Sequence, residues 1–151
     1  MSQVPDTISN ARDKVKPLLD EGRALNVKGE FTAAVAKYVE ALVILREAGD
    51  IEMAANTFIQ VGNVYMNQSE FSEARNVFTD ALGLANMIDD RSLICKCYNS
   101  IGNANGSMGN YEMAIENYQE GLRMANLLGD IHTVGTFHNN LAIVSERQGR
   151  Y

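Results

Sequence analysis

The sequence predicts an all-α fold, a solenoid of antiparallel helix pairs, on three observations. A spacing of forty residues recurs along the chain, apolar positions inside each unit follow a three-and-four rhythm, and no segment alternates with period two long enough for a strand. The columns hold without a gap. Gly22, Gly62, Gly102 and Ala142 form one, Gly29, Ser69, Gly109 and Gly149 a second, and Phe31, Phe71, Tyr111 and Tyr151 a third. Ala34, Ala74 and Ala114 follow, then Tyr38, Phe78 and Tyr118, then Ala41, Ala81 and Gly121, then Leu42, Leu82 and Leu122. Each unit closes on Asp50, Asp90 or Asp130. A length of 151 residues with 46% hydrophobic content suits one domain with a buried core.

Taken in order, residues 1–14 read as an N-terminal extension with its own helical turn starting near Thr7 or Ser9. The repeat domain spans 15–151, in units of about 15–50, 51–90 and 91–130 and a partial unit 131–151. In the first unit Pro17 is expected early in the first helix, where a missing N–H costs little. Glu21 occupies the column of Val61, Ile101 and Leu141, so no apolar layer is expected before it and this end reads as an N-terminal cap.

The second unit shows the pattern most clearly. Asp50 is placed to accept from free N–H groups of a helix carrying Ala54, Phe58, Val61, Val64 and Tyr65 on one face. Gln68–Ser69–Glu70 interrupts it, and a second helix from Phe71 to about Ile88 presents Ala74, Val77, Phe78, Ala81, Leu82 and Ala85. The third unit repeats this with Ile94, Tyr98 and Ile101, then Tyr111, Ala114, Ile115, Tyr118 and Leu122. Gly29, Gly109 and Gly149 can take positive φ and end the first helix of a pair, as Gly49 and Gly129 end the second; Asp89 replaces glycine there. Small residues such as Gly62 with Ala74 let two helices cross at the near end of the ~8–10 Å range. Phe78 and Tyr118 are expected to plug the space between one pair and the next.

The motif G-N-x-Y/N…G-x-Y/F-x-x-A-x-x-x-Y/F-x-x-A/G-L resembles the tetratricopeptide repeat, with a period of forty residues against a usual ~34. The longer form, with its L/I-G-N opening and G-D close, is similar to repeats of the Pins-type cell-polarity adaptors, of kinesin light chains and of bacterial Rap-type regulators. The resemblance implies a right-handed α-solenoid of about 3.5 repeats. It implies a non-enzymatic scaffold that binds a peptide or helix of a partner protein in its concave groove, with no cofactor. The alternatives it leaves are a Rap-type regulator of response regulators and a self-assembling structural module. Rap-type proteins carry their active residues in an N-terminal helical bundle, and only about fifteen residues precede the first unit here.

In the tetratricopeptide pattern the inner face is lined by positions matching Lys16, Leu19 and Arg23, then Asn56, Ile59 and Asn63, then Lys96, Asn99 and Asn103, then Thr136, Asn139 and Ile143. Fifteen asparagines are present, about twice the expected share, and an amide both donates and accepts. A row of them suits an extended peptide backbone. Chaperone-tail receptors of the family hold a carboxylate with Lys and Asn, then Asn, then Lys and Arg. The matching positions here are Leu19, Arg23, Gln60, Lys96 and Ser100, of which only Lys96 agrees.

Charge and composition exclude other classes. The net charge is −6, which disfavours nucleic-acid binding. Residues 1–46 and 123–151 each carry a net +1 and residues 47–122 a net −8, so a basic partner would be steered to the middle. No long apolar run predicts membrane insertion, the N-terminus does not read as a secretory signal, and two cysteines fit a reducing, cytoplasmic compartment. Cys95 and Cys97 point about 200° apart on a helix, so with His132 or His138 they do not predict a metal site. His138, in the column of Leu18, Phe58 and Tyr98, is expected to pack between helices, and His132 to be exposed. Gly102–Gly106 is glycine-rich but expected inside a helix, and no nucleophile–base pair, zinc-protease or phosphate-loop motif occurs.

The last first-helix, at about 132–148, carries Val134, Phe137, Leu141 and Val144. With no second helix after it, Phe137, Leu141 and Val144 are expected to leave ~300 Å² of apolar surface uncovered, worth several kcal/mol. Self-association through the C-terminal end is the expectation.

Overall fold

The computed structural model describes residues 5–149, which form seven α-helices. These are α1 (Asp6–Val27), α2 (Phe31–Ala48), α3 (Ile51–Asn67), α4 (Phe71–Met87), α5 (Arg91–Ser107), α6 (Tyr111–Leu128) and α7 (Ile131–Arg147). They stack as antiparallel pairs α1/α2, α3/α4 and α5/α6, followed by α7. Backbones of the first helices approach one another, α1 to α3, α3 to α5 and α5 to α7, whereas α2, α4 and α6 make no such approach. The row is therefore tighter on the side of α1, α3, α5 and α7, and that side is concave.

Every junction closes in the same way. The amide of Glu30, Asp50, Glu70, Asp90, Asn110 or Asp130 donates to the carbonyl five residues back at 2.9–3.3 Å. That bond needs a left-handed residue just before it, which is Gly29, Gly49, Gly109 and Gly129 at four junctions. Ser69 and Asp89 take the same conformation at φ 62° and 50°, a strained place for a side chain. Asp50, Asp90 and Asp130 then cap the next helix, accepting from the N–H groups of Met53, Leu93 and Thr133 at 3.1, 3.0 and 3.2 Å.

Inside each pair an aromatic ring lies on a glycine. A Cβ at Gly22, Gly62 or Gly102 would stand less than 3.0 Å from ring atoms of Tyr38, Phe78 or Tyr118. Each ring also belongs to a buried cluster that includes the next first helix, Tyr38 with Val61 and Val64, and Phe78 with Ile101 and Ala104. The expected plug thus exists, and it is seated on the glycine of its own pair. At the last seam Phe137 covers Gly121 instead, and its ring is tilted 58° to that of Tyr118 at 6.3 Å between centroids.

Expectations at both ends are corrected. Residues 6–14 are the first turns of α1, with no separate turn, and Pro17 lies deep inside that helix. Ala11 and Val15 are buried, Val15 beside Ala41 and Leu45, and this packing carries the helix through the proline. Pro17 and Asp13 are exposed, so the carbonyl deprived of its donor can turn to water. Arg12 adds a tether: Nε donates to Asp50 Oδ2 at 2.6 Å and Nη2 to Oδ1 at 3.1 Å. Glu21 is exposed and meets Lys37 Nζ at 3.2 Å.

At the other end, Phe137 and Val144 are buried and Leu141 half-buried. Their face turns back onto α6, so they do not form an uncovered patch. His138, expected between helices, is exposed, because among the described residues no element lies on its side of α7. Tyr151 lies outside the described residues.

Three outcomes follow from this packing. Gly102→Leu should cost about 3 kcal/mol or more, at or above the upper end of overpacking penalties; a urea midpoint equal to the parent's would refute the ring-on-glycine contact. Ser69→Gly should raise stability by roughly 0.5–1 kcal/mol, the left-handed strain relieved minus the extra freedom of unfolded glycine, read as a higher melting temperature. The third concerns Asp50. Burial by itself would raise its carboxyl, but the hydrogen bonds from Arg12 and Met53 and the guanidinium charge hold it below the ordinary value. A lowered folded value contributes stability above the unfolded value of ~4 and loses it as pH falls through the folded one. Arg12→Ala should therefore cost about 3 kcal/mol at neutral pH and flatten the acid limb of the stability profile, measured by denaturation from pH 7 downward.

Candidate functional site

The inner face is built from the exposed sides of α1, α3, α5 and α7. Lys16, Asn63, Lys96 and Asn139 are exposed there, and none is held by a side-chain bond or ion pair within the described residues. Arg23 is exposed and donates from Nη2 to Asp20 Oδ1 at 2.8 Å. Asn56 is half-buried and donates to its own helix, to the Glu52 carbonyl at 3.1 Å. Asn103 accepts from the Tyr118 hydroxyl at 2.6 Å. Asn99 accepts from Asn140 Nδ2 at 2.7 Å, which ties α5 to α7. Part of the asparagine row therefore serves the fold.

Two hollows flank the Asn99–Asn140 bond. One, of 240 Å³, lies toward the start of α5 and α7, with Lys96, Asn99, His132, Thr133 and Thr136 around a floor of Cys95 and Phe137. The other, of 220 Å³, lies toward their ends, with Asn103, Ser107, Asn140, Ile143 and Arg147 around Tyr118. His132 is exposed, as expected. Asn140 was absent from the expected inner row. Its signal is an offset of 41 residues, shared with Asn26, which accepts from Asn67 Nδ2 at 3.1 Å between α1 and α3.

The charge of this face differs from that of the stretch as a whole. α5 carries Arg91 and Lys96 and no acid, and α3 carries Glu52 alone among its charges. The acids of the central stretch lie on second helices, Glu73 and Asp80 in α4 and Glu112, Glu116 and Glu120 in α6, and at the turns. The steering of a basic partner to the middle thus applies to the outer side and not to the groove.

The cysteines fall on opposite sides of α5, Cys97 in the core shared with α4 and Cys95 in that shared with α6. Burial pushes both thiols up, Cys97 to about 12, so they stay protonated at neutral pH. No cluster of three or more metal-ligating side chains occurs among the described residues, and no helix there is long and apolar enough to cross a membrane. Gly102 and Gly106 lie inside α5, away from any phosphate-loop geometry.

Comparison with known proteins agrees with this architecture. RapI in its apo form superposes with a TM-score of 0.84 at 16% identity, over 97% of this chain and 40% of that one. BtubC (BKLC) from P. vanneervenii gives 0.79 at 18%, over 94% and 63%. The TPR2AB domain of yeast Sti1, in its pHSP90 complex, gives 0.69 at 18%, over 90% and 49%. The chain thus spans well under two thirds of RapI, and these likenesses speak to the fold alone. No curated protein matches it in sequence. The tetratricopeptide repeat profile matches residues 52–127, half of the chain, and with the ring-on-glycine pairs and their forty-residue register it follows that this chain belongs to the tetratricopeptide-repeat family.

Proposed function

We propose that the chain is a non-enzymatic interaction module that takes an extended segment of a partner protein along the face of α1, α3, α5 and α7. Tetratricopeptide domains typically serve protein–protein interaction, and the Sti1 domain of the same fold is known with pHSP90. The observation that supports the reading here is the pair of hollows on either side of the Asn99–Asn140 bond. Each is large enough for a side chain, and the free amides of Asn63 and Asn139 remain to bond a peptide backbone. Lys96 and Arg147 favour a segment carrying at least one carboxylate. A Rap-type role in binding response regulators is the second reading, the one that the resemblance of the forty-residue repeats to Rap-type regulators leaves open.

An unstructured peptide library selected against the full chain tests the groove. The enriched peptide should bind the double variant Asn63→Ala, Asn139→Ala roughly five- to a hundredfold more weakly, two hydrogen bonds at about 0.5–1.5 kcal/mol each, with no change in melting temperature. Equal affinity for parent and variant rejects the groove. Asn99 is unsuitable for this test, because its loss would strand Asn140. Selective capture of a phosphorylatable receiver domain in place of any peptide would favour the second reading.

A further inference from the structure

The backbones of α4 and α6 make no close approach, and α5 packs against both. The gap between them opens on the convex side, away from the groove, with α5 as its floor. A hollow of 310 Å³ lies there, bounded by Arg75 of α4, Asn105 of α5, and Glu116 and Asn117 of α6. All three helices are complete and each is flanked by further elements, so the hollow belongs to the interior of the stack.

The same place one repeat earlier is filled. There the equivalents of Arg75, Asn105 and Asn117 are Val35, Tyr65 and Val77, which pack together on the buried Tyr38, Val61 and Val64. The later seam replaces those three apolar side chains with three polar ones and leaves space between them. Asn105 is 1% exposed, and its amide donates to Asn117 Oδ1 at 2.9 Å. Its own carbonyl oxygen has no partner among the described residues, a costly state for a buried acceptor. On the two walls stand a guanidinium and a carboxylate, Arg75 and Glu116, and neither is in an ion pair among the described residues. Leu82, Ile101 and Met113 add an apolar lining.

We propose that this hollow binds a free α-amino acid with an apolar side chain. Opposite charges that line one hollow without pairing are complementary to a zwitterion. The α-carboxylate meets the fork of Arg75, a geometry suited to two parallel bonds. The α-ammonium carries three donors, which serve Glu116 and the unmatched oxygen of Asn105. The side chain rests on Leu82, Ile101 and Met113. The hollow is small and open to water, so the affinity is modest, with a Kd on the order of 1 mM. This site lies outside the peptide groove and does not depend on it.

Titration of the full, isotope-labelled chain with L-leucine, followed by amide NMR, tests the site. The side-chain amides of Asn105 and Asn117 should shift saturably at millimolar ligand. Arg75→Gln, and independently Glu116→Gln, should weaken binding at least tenfold with no change in melting temperature. N-acetyl-leucine, which keeps only the carboxylate, and leucinamide, which keeps only the ammonium, should each bind at least tenfold more weakly than leucine. Absence of saturable shifts up to about 50 mM leucine overturns the proposal. Equal binding of either single-charge analogue overturns it too, since the hollow would then read a chain terminus or one charge alone. Binding that survives both substitutions has the same consequence.

Discussion

The contact between an aromatic ring and a bare Cα sets the geometry of this chain. Gly22, Gly62 and Gly102 leave no room for a side chain under Tyr38, Phe78 and Tyr118, so each helix pair crosses at the same point. The rings then reach the next first helix, which transmits the spacing from pair to pair. At the last seam the same volume is shared out differently. The columns pair Ala41 with Thr57 and Ala81 with Cys97, but Gly121 with Phe137. The smaller residue on α6 makes way for the larger one on α7, as a close-packed interior demands.

The ring also decides which asparagines are free. Tyr118 carries a buried hydroxyl, and Asn103 accepts its proton. Phe78 has no hydroxyl, so Asn63, in the same column as Asn103, has no such group to satisfy among the described residues. In the first pair the column holds Arg23, which turns to Asp20, and the Tyr38 hydroxyl is buried without a partner among the described residues. Asn105 is a second such case: its amide donates to Asn117 at 2.9 Å while its carbonyl oxygen has no partner among the described residues. Burial raises the Tyr118 hydroxyl to about 12, so it remains a donor throughout the physiological range.

Curvature sorts the charges. The inner helices α3 and α5 carry few, and those of α5 are basic, while α4 and α6 carry most of the helical acids of the central stretch. A net charge of −6 therefore coexists with a groove that presents Lys16, Lys96 and Arg147, none in an ion pair among the described residues. Long-range attraction and groove contact select for opposite charges on a partner.

The linear sequence by itself determined the helices, their junctions and their pairing. A forty-residue register, a glycine before two of the three aspartate caps and a small residue sixteen positions before each ring are local or periodic signals, and each has a local physical cause. Three matters were decided only by the tertiary structure. Pro17 stays inside α1 because Val15 is buried beside Ala41 and Leu45 and Arg12 reaches Asp50, contacts made across a gap of some thirty residues. The division of the asparagines into bonded and free depends on which neighbouring helix brings an amide or hydroxyl within reach, as with Asn140 at 41 residues from Asn99. The exposure of Gly135, His138 and Ala142 on α7 could not be read from its apolar pattern, because the apolar residues are the ones that pack. What remains exposed is the complement of that pattern, and only the position of α6 shows which side it is.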